Sequence, residues 1–415
     1  MTYKKPELLI PASSLEVLKT AVMFGADAVY IGGEAFGLRA KAKNFSMEDM
    51  KKGVEFAHAH GVKVHVTVNI LAHNDDLPGV EEYLKELKEV GPDALIIADP
   101  GVFELAKEIC PEIQRHVSTQ ANNTNYATYQ FWWKQGASRV VSARELSLRE
   151  IKEIRERIPA EMEIESFIHG AMCISYSGRC LLSNFFTGRD ANQGACTHPC
   201  RWKYSIVEET RPGEYMPVYE NERGTYIFNS KDLCMIEHIP EMIDAGIDSF
   251  KIEGRMKSVH YCATVAKVYR TAIDTYLKEG KDWYVRPEWI AELEKISHRP
   301  YTDGFAEGRP DETAQNYGKS TNTQSHDFIG LVIGYNEEEK YVDLEQRNNF
   351  KVGDKVEFCQ PKGELVETVI EKMTDEDGNP IDVAPHAQMK VRIYMDTPLE
   401  PYSMMRRECK PKEDE

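Results

Sequence analysis

Short, continuously apolar runs alternate with amphipathic stretches from the first residues of the chain onward. The runs are LLIPA (8–12), AVYIGG (28–33), VKVHVTVNI (62–70), ALIIADP (94–100), RHVSTQ (115–120), RVVSA (139–143), EIESFIHG (163–170) and SFKIEGR (249–255). Between them lie helical patterns such as SLEVLKTAVMFG (14–25), PGVEEYLKELKEVG (78–91) and SLREIKEIRERI (147–158), several ending at a glycine suited to a C-cap. Strands that are apolar throughout are those covered on both faces, and their alternation with helices makes the sheet parallel. Eight such units over about 280 residues predict an α/β fold, a TIM-type (β/α)8 barrel.

Two interruptions modify that pattern. Residues 173–231 separate the seventh run from its helical partner, DLCMIEHIPEMIDAG (232–246), so the seventh βα loop is greatly enlarged on the face where such barrels hold their active sites. Residues 297–326 are rich in Gly, Pro, Ser, Thr and Asn with little periodicity, which predicts a linker after a barrel domain of residues 1–296. Beyond it, FIGLVIG, KYVDLEQ, DKVEFC, ELVETVIEKM and MKVRIYM alternate with turn signals, predicting a small C-terminal β-barrel over 327–415.

Composition narrows the class. With 415 residues, 41% hydrophobic and 29% charged, the chain can bury a large core, and its net charge of −17 argues against coating nucleic acid through a bulk positive field. The start, MTYKKPELLIPASS, lacks a signal-peptide core, and no run reaches the 18 apolar residues of a membrane span, so a cytoplasmic protein with reduced thiols is expected.

Five of the nine cysteines, Cys173, Cys180, Cys196, Cys200 and Cys234, fall within the enlarged loop and the start of the next element. The spacing C-x6-C-x15-C-x3-C-x33-C has no CxxC knuckle, and by itself it fits a zinc site, an iron–sulfur site or packing thiols. Cys234, following Asp232, is expected to open a helix, where the dipole would favour a thiolate. The stretch ESFIHGAMC (165–173), then Cys180 in SGRCLLSN, GACTHPCRWKY (194–204) and NSKDLCMIEHIPEMIDAGIDSFKIEGRMKS (229–258) resembles the signature of the collagenase-like peptidase family. LLIPAS and DAVYIGG extend the likeness to most of the first 300 residues. The resemblance implies an iron–sulfur branch that hydroxylates RNA bases or ubiquinone precursors without dioxygen. For a chain of this length it implies 5-hydroxyuridine formation at the wobble position of tRNA, with prephenate as a required small molecule. It also implies a 4Fe-4S cluster on Cys173, Cys180, Cys196 and Cys234, with Cys200 able to replace one of them.

Other residues are candidates by position. His169 and Glu165 on the seventh strand are candidate catalytic groups, with a structural histidine and a buried ion pair as the alternatives. Glu253 and Arg255 end the eighth strand, where a guanidinium suits a dicarboxylate; a mutual pair closing the barrel is the other reading. Asn69, Gln120 and Asn122 offer uncharged hydrogen bonding to a base edge or acid, or else turn and cap chemistry. Arg39 lies in a basic loop that would contact phosphate or simply be solvated. Arg201, Trp202 and Lys203 lie where basic groups alternate with aromatics, as binding the anticodon loop of tRNA requires; aromatics that pack the large loop onto the barrel are the other reading. The rival functions are a peptidase, for which a cysteine with His169 is the one candidate dyad, a non-catalytic cluster-bearing partner in a multi-protein hydroxylase, and a hydroxylase of ribosomal RNA cytidine. No GxGxxG, P-loop, HExxH or GxSxG motif is present.

Overall fold

A computed structural model describes residues 4–34, 36–37, 44–173, 175–177, 179–191, 195–201, 231–308 and 323–409. All eight apolar runs form strands. They are β1 (Glu7–Pro11), β2 (Ala28–Gly32), β3 (Lys63–Val68), β4 (Ala94–Ile97), β5 (Gln114–Val117), β6 (Arg139–Val141), β7 (Glu163–Ala171) and, after the short β8 (Asp232–Cys234), β9 (Ser249–Ile252). Each pairs in parallel with its neighbour, and β9 closes the barrel by pairing with β1 on one side and β7 on the other.

The covering helices are α1 (Leu15–Met23), α2 (Met47–Ala59), α3 (Leu77–Val90), α4 (Pro100–Ile109), α5 (Tyr126–Gln135) and α6 (Leu148–Arg155), followed by α7 (Leu182–Thr187) in the long loop, α8 (Ile239–Asp244) and α9 (Val259–Glu279). Ser14, Ser46, Asp99, Asn125, Ser147 and Ser258 cap six of them by accepting first-turn backbone N–H groups. The cap residues thus decide where each apolar stripe begins to turn as a helix.

Charged residues complete the seam of the barrel. Arg139 of β6 is buried and donates to Glu7 of β1 at 2.5 Å, to Glu163 at 2.7 Å and to Glu165 at 3.0 Å on β7. Lys251 of β9 reaches the other oxygen of Glu165 at 2.6 Å. Burial alone would raise the Glu7 carboxyl, but the Arg139 guanidinium outweighs it and holds the group at about 2. Of the two catalytic candidates on β7, Glu165 is fully buried with its charge matched twice.

Segment 297–308, expected as linker, belongs to the barrel. Tyr301–Thr302 forms β10 alongside β8, and Arg299 is buried in an ion pair with Asp232 at 2.7 Å. Polar and aromatic contacts hold this stretch, so an apolar period never marked it. The same pair removes Asp232 as a helix cap: Cys234 ends strand β8, and α8 begins five residues later.

After α10 (Pro287–Leu293) the second domain is antiparallel. Its strands are β11 (His326–Asn336), β12 (Tyr341–Gln346), β13 (Phe350–Lys351), β14 (Lys355–Cys359), β15 (Val366–Val369), β16 (Met373–Asp375), β17 (Val383–Ala384), β18 (Lys390–Tyr394) and β19 (Met404–Glu408). Seven form one sheet in the order β15-β14-β19-β11-β12-β18-β16, and β13 pairs with β17. The domain has its own apolar core, while Leu331, Cys359 and Met404 pack into the core of the barrel.

Candidate functional site

The strands bring their C-terminal ends to one mouth, and the loop after β7 folds over it. Between them is a cavity of about 160 Å³, walled by Tyr30, Thr67, Asn69, Gln120, Arg144, Phe167, Lys251, Glu253 and Arg255 from the strand ends. Cys173, Cys180, Cys196 and Cys200 line it from the loop, and none of the four is in a disulfide. The backbone N–H of His198 donates to Cys196 Sγ at 3.4 Å, the kind of contact that tunes a ligating sulfur. Four thiols around one cavity, one already accepting a backbone N–H, fit the donor set of a four-iron cluster.

Three cations line the cavity with one carboxylate, Lys251 and Arg255 buried and Arg144 half-buried. Arg144, from the β6 loop, lies 3.8 Å over the ring of Phe167 and donates to Glu253 Oε2 and to Ser177 Oγ, each at 3.2 Å. Arg255 donates through Nη1 to Thr67 Oγ1, whose hydroxyl in turn donates to Ile31 O at 3.2 Å. A Cβ on Gly32 would stand 2.2 Å from that Nη1, so the glycine is what admits the guanidinium. Lys251 sits over the Tyr30 ring at 4.5 Å. Gln120 contributes a buried Oε1 with no hydrogen-bond partner, and Asn69 Nδ2 donates to Ser118 Oγ at 3.4 Å.

Beneath the mouth, His65, His116 and Glu165 place ligand atoms within 4.8 Å of one another, the one such single-ion grouping among the described residues. Both oxygens of Glu165 are already held by Arg139 and Lys251. Two fixed cations at that point oppose a third positive charge. Burial pushes His65 down to about 4 and His116 well below its ordinary range, leaving both imidazoles neutral and packed edge-on at 4.8 Å.

Residues 13–316 match the family described as Peptidase family U32, and residues 324–406 match its C-terminal domain. The chain belongs to peptidase family U32. A Bacillus subtilis relative named as a tRNA hydroxylation protein is 47% identical over 404 residues, covering 97% of this chain and 95% of that one. An Escherichia coli tRNA hydroxylation protein is 41% identical over 425 residues, 92% of each chain. A 23S rRNA 5-hydroxycytidine synthase of Escherichia coli is 37% identical over 334 residues, covering 79% of this chain and 48% of its own length. Among the described residues no helix is long and apolar enough to cross a membrane.

In this U32 chain the cavity gathers Asn69, Gln120, Glu253, Arg255, Cys173, Cys180 and Cys196 as the sequence suggested, and adds Cys200. Asn122 is elsewhere: its Nδ2 clamps Gln120 O at 2.6 Å and Ser177 O at 3.2 Å, so it shapes the loop that carries Gln120. Glu165 lies under the cavity in the ion-pair seam and is not among its walls.

His169 is also displaced from the cavity. A β-bulge between Phe167 and His169 breaks the alternation of β7, so that Phe167 faces the cavity while His169 packs among Tyr261, Tyr269 and Tyr301. Next to it Gly170 adopts φ +107°, where a Cβ would meet Glu253 O at 2.5 Å. Burial takes His169 down to about 3 and the Cys234 thiol up to about 11; Tyr269 OH stands between them, 3.4 Å from Nδ1 and 3.8 Å from Sγ. With the Tyr269 hydroxyl interposed, His169 and Cys234 do not form the directly hydrogen-bonded pair of an activated dyad.

Arg39, Trp202 and Lys203 lie outside the described residues, as does the side chain of Arg201. Arg144, Lys251 and Gly32 are the site residues that sequence reasoning missed. RVVSARE gave a faint signal for Arg144, a charged residue just past a strand that ends at the catalytic face.

Proposed function

We propose that the chain is an iron–sulfur hydroxylase that forms 5-hydroxyuridine at the wobble position of tRNA, independently of dioxygen and dependent on prephenate. The observation that carries this reading is the joining, in one cavity, of four cysteines and three cations at the mouth of a barrel. Relatives named for tRNA hydroxylation support the RNA substrate, and the resemblance of the cysteine loop supports the cluster and prephenate.

Cys173, Cys180 and Cys196 would hold a 4Fe-4S cluster. The fourth ligand is contested between Cys234, which the family resemblance assigns, and Cys200, which lines the cavity. Bound there, the cluster supplies one-electron chemistry next to the substrate. The protein's own part is to bind and orient. With Lys251 matched by Glu165 beneath the cavity, Arg144 and Arg255 against Glu253 leave an excess of one positive charge in a cavity of a chain whose net charge is −17, which suits an acid such as prephenate. The buried Oε1 of Gln120 offers an acceptor for an N–H of the base.

The deciding experiment is mass spectrometry of total tRNA and ribosomal RNA from a deletion strain, which should lose hydroxyuridine at the wobble position. Loss of hydroxycytidine from ribosomal RNA with tRNA unchanged would transfer the reading to the other target. Anaerobic protein should hold close to four irons. Serine at Cys173, Cys180 or Cys196 should bleach it, and the same change at Cys200 and at Cys234 identifies the fourth ligand.

A further inference from the structure

The loop after β7 shows solvent a surface that the cavity chemistry does not use. Phe185 of α7 is 82% exposed, Leu181 and Phe186 beside it are also exposed, and Phe185 meets Phe186 edge-on at 5.2 Å. Tyr176 is exposed too and lines the cavity, so the same loop presents exposed rings both at the cavity mouth and on α7. Exposing large rings is costly in water and marks interaction sites when the rings are contiguous.

This surface is anchored. Ser183, on the inner side of α7, is buried; its Oγ accepts from the backbone N–H of Thr197 at 3.0 Å and lies 3.0 Å from Thr197 Oγ1, one residue from Cys196. Gly188, in the left-handed region, closes the helix by donating to Asn184 O at 2.8 Å. The chain folds so that the polar side of α7 is tied to the cysteine loop and its rings are turned outward.

Charge decides which partner fits. Arg179 is exposed between Tyr176 and Cys180, and Arg189 follows the helix with its buried Nε unpartnered; the acid among them is Asp190. Arginines interleaved with upright rings suit an unpaired nucleic-acid strand, because every base has a stacking face and every linkage a phosphate. A hydrophobic protein partner would not call for the arginines.

We propose that Phe185, with Tyr176 and Arg179, forms a stacking platform for the unpaired RNA bases that flank the reacting base at the cavity mouth. This rests on the tRNA reading above. The platform holds the neighbours of the target, Arg179 meets the phosphate between them, and the target base alone enters the cavity.

The test titrates the full chain, prepared anaerobically, with an anticodon stem-loop carrying 2-aminopurine next to the target uridine. Phe185→Ala should weaken binding by ~5- to 150-fold, the span of one lost stacking contact, and should abolish quenching of the 2-aminopurine. Phe185→Leu, which keeps apolar area but no ring, should behave like Phe185→Ala, and Phe185→Trp should restore binding. None of the three variants should alter iron content. Arg179→Ala should instead lower the slope of binding against salt by about 0.7. Wild-type affinity in both Phe185→Ala and Phe185→Leu overturns the platform, as does conversion of a dimer to a monomer with RNA affinity unchanged. Failure of the wild-type chain to bind the stem-loop at all overturns the tRNA reading itself.

Discussion

At the scale of single residues, Arg144 and Arg255 do what neither would do on a surface. Each guanidinium is held out of water by the cavity walls, where a forked contact with a carboxylate is far stronger than an exposed pair. Lysine keeps the charge and loses the fork. Arg144→Lys and Arg255→Lys should each raise the prephenate concentration for half-maximal hydroxylation about tenfold, the effect of one charged hydrogen bond, while leaving iron content unchanged. Wild-type prephenate dependence in either would remove that residue from the substrate site. His169 has a different use. Burial holds it near 3, against about 6.5 in the unfolded chain. The unfolded state therefore binds a proton that the folded state refuses, so the His169 contribution is complete above pH 6.5 and is lost progressively as pH falls towards 3. His169→Phe keeps the ring against Tyr261, Tyr269 and Tyr301. Between pH 6 and 4 its unfolding free energy in urea should fall less steeply with acid, by up to about 1.4 kcal/mol per pH unit. An unchanged slope would show that the imidazole is not held neutral.

At the scale of elements, the pairing of β8 with β10 shows how short strands depend on charge. Three residues and two residues bury too little to hold each other, and the ion pair of Asp232 with Arg299 supplies the missing constraint. Arg299→Ala leaves a buried carboxylate uncompensated, which should cost about 3–5 kcal/mol in denaturant unfolding. Amide hydrogen exchange should be fastest to rise at Asp232, whose N–H donates to Pro300 O at 3.0 Å. If β8 stays protected in the variant, the clamp lies elsewhere. The eight barrel strands and helices α1, α3 and α6 were legible in the sequence because each has its own apolar period. β10 was not, since its partners are 70 residues away and its contacts are ionic and aromatic.

At the scale of the whole molecule, the two domains are tied through a buried ionic knot. Arg406 of β19 is fully buried and reaches Glu292 of α10 at 2.5 Å and Glu357 of β14 at 2.7 Å, and Lys295 joins Glu357 at 3.0 Å. Removing the guanidinium leaves two acids facing each other with Lys295 alone between them. Arg406→Ala should destabilise the chain by about 3–5 kcal/mol and split one calorimetric transition into two as the domains uncouple. A single transition at the wild-type temperature would mean that apolar contacts of Leu331, Cys359 and Met404 suffice to join them.

The sequence by itself determined what depends on local order: the eight apolar strands of the barrel, the helices with a clear amphipathic period, and that four cysteines sit in one enlarged loop on the catalytic face. Periodicity and capping act between residues close in the chain, so they are written there. Tertiary structure decided which side chains share a cavity. Strand parity pointed His169 at the mouth, and one bulge turned it among tyrosines from α9 and β10. Glu165 looked available and was claimed by Arg139 and Lys251, residues 26 and 86 positions away. Arg144 looked like a loop residue and became a wall of the cavity because Glu253, Ser177 and the Phe167 ring converge on it. Barrel closure makes neighbours of residues far apart in the chain, and the charge balance among them follows from that closure.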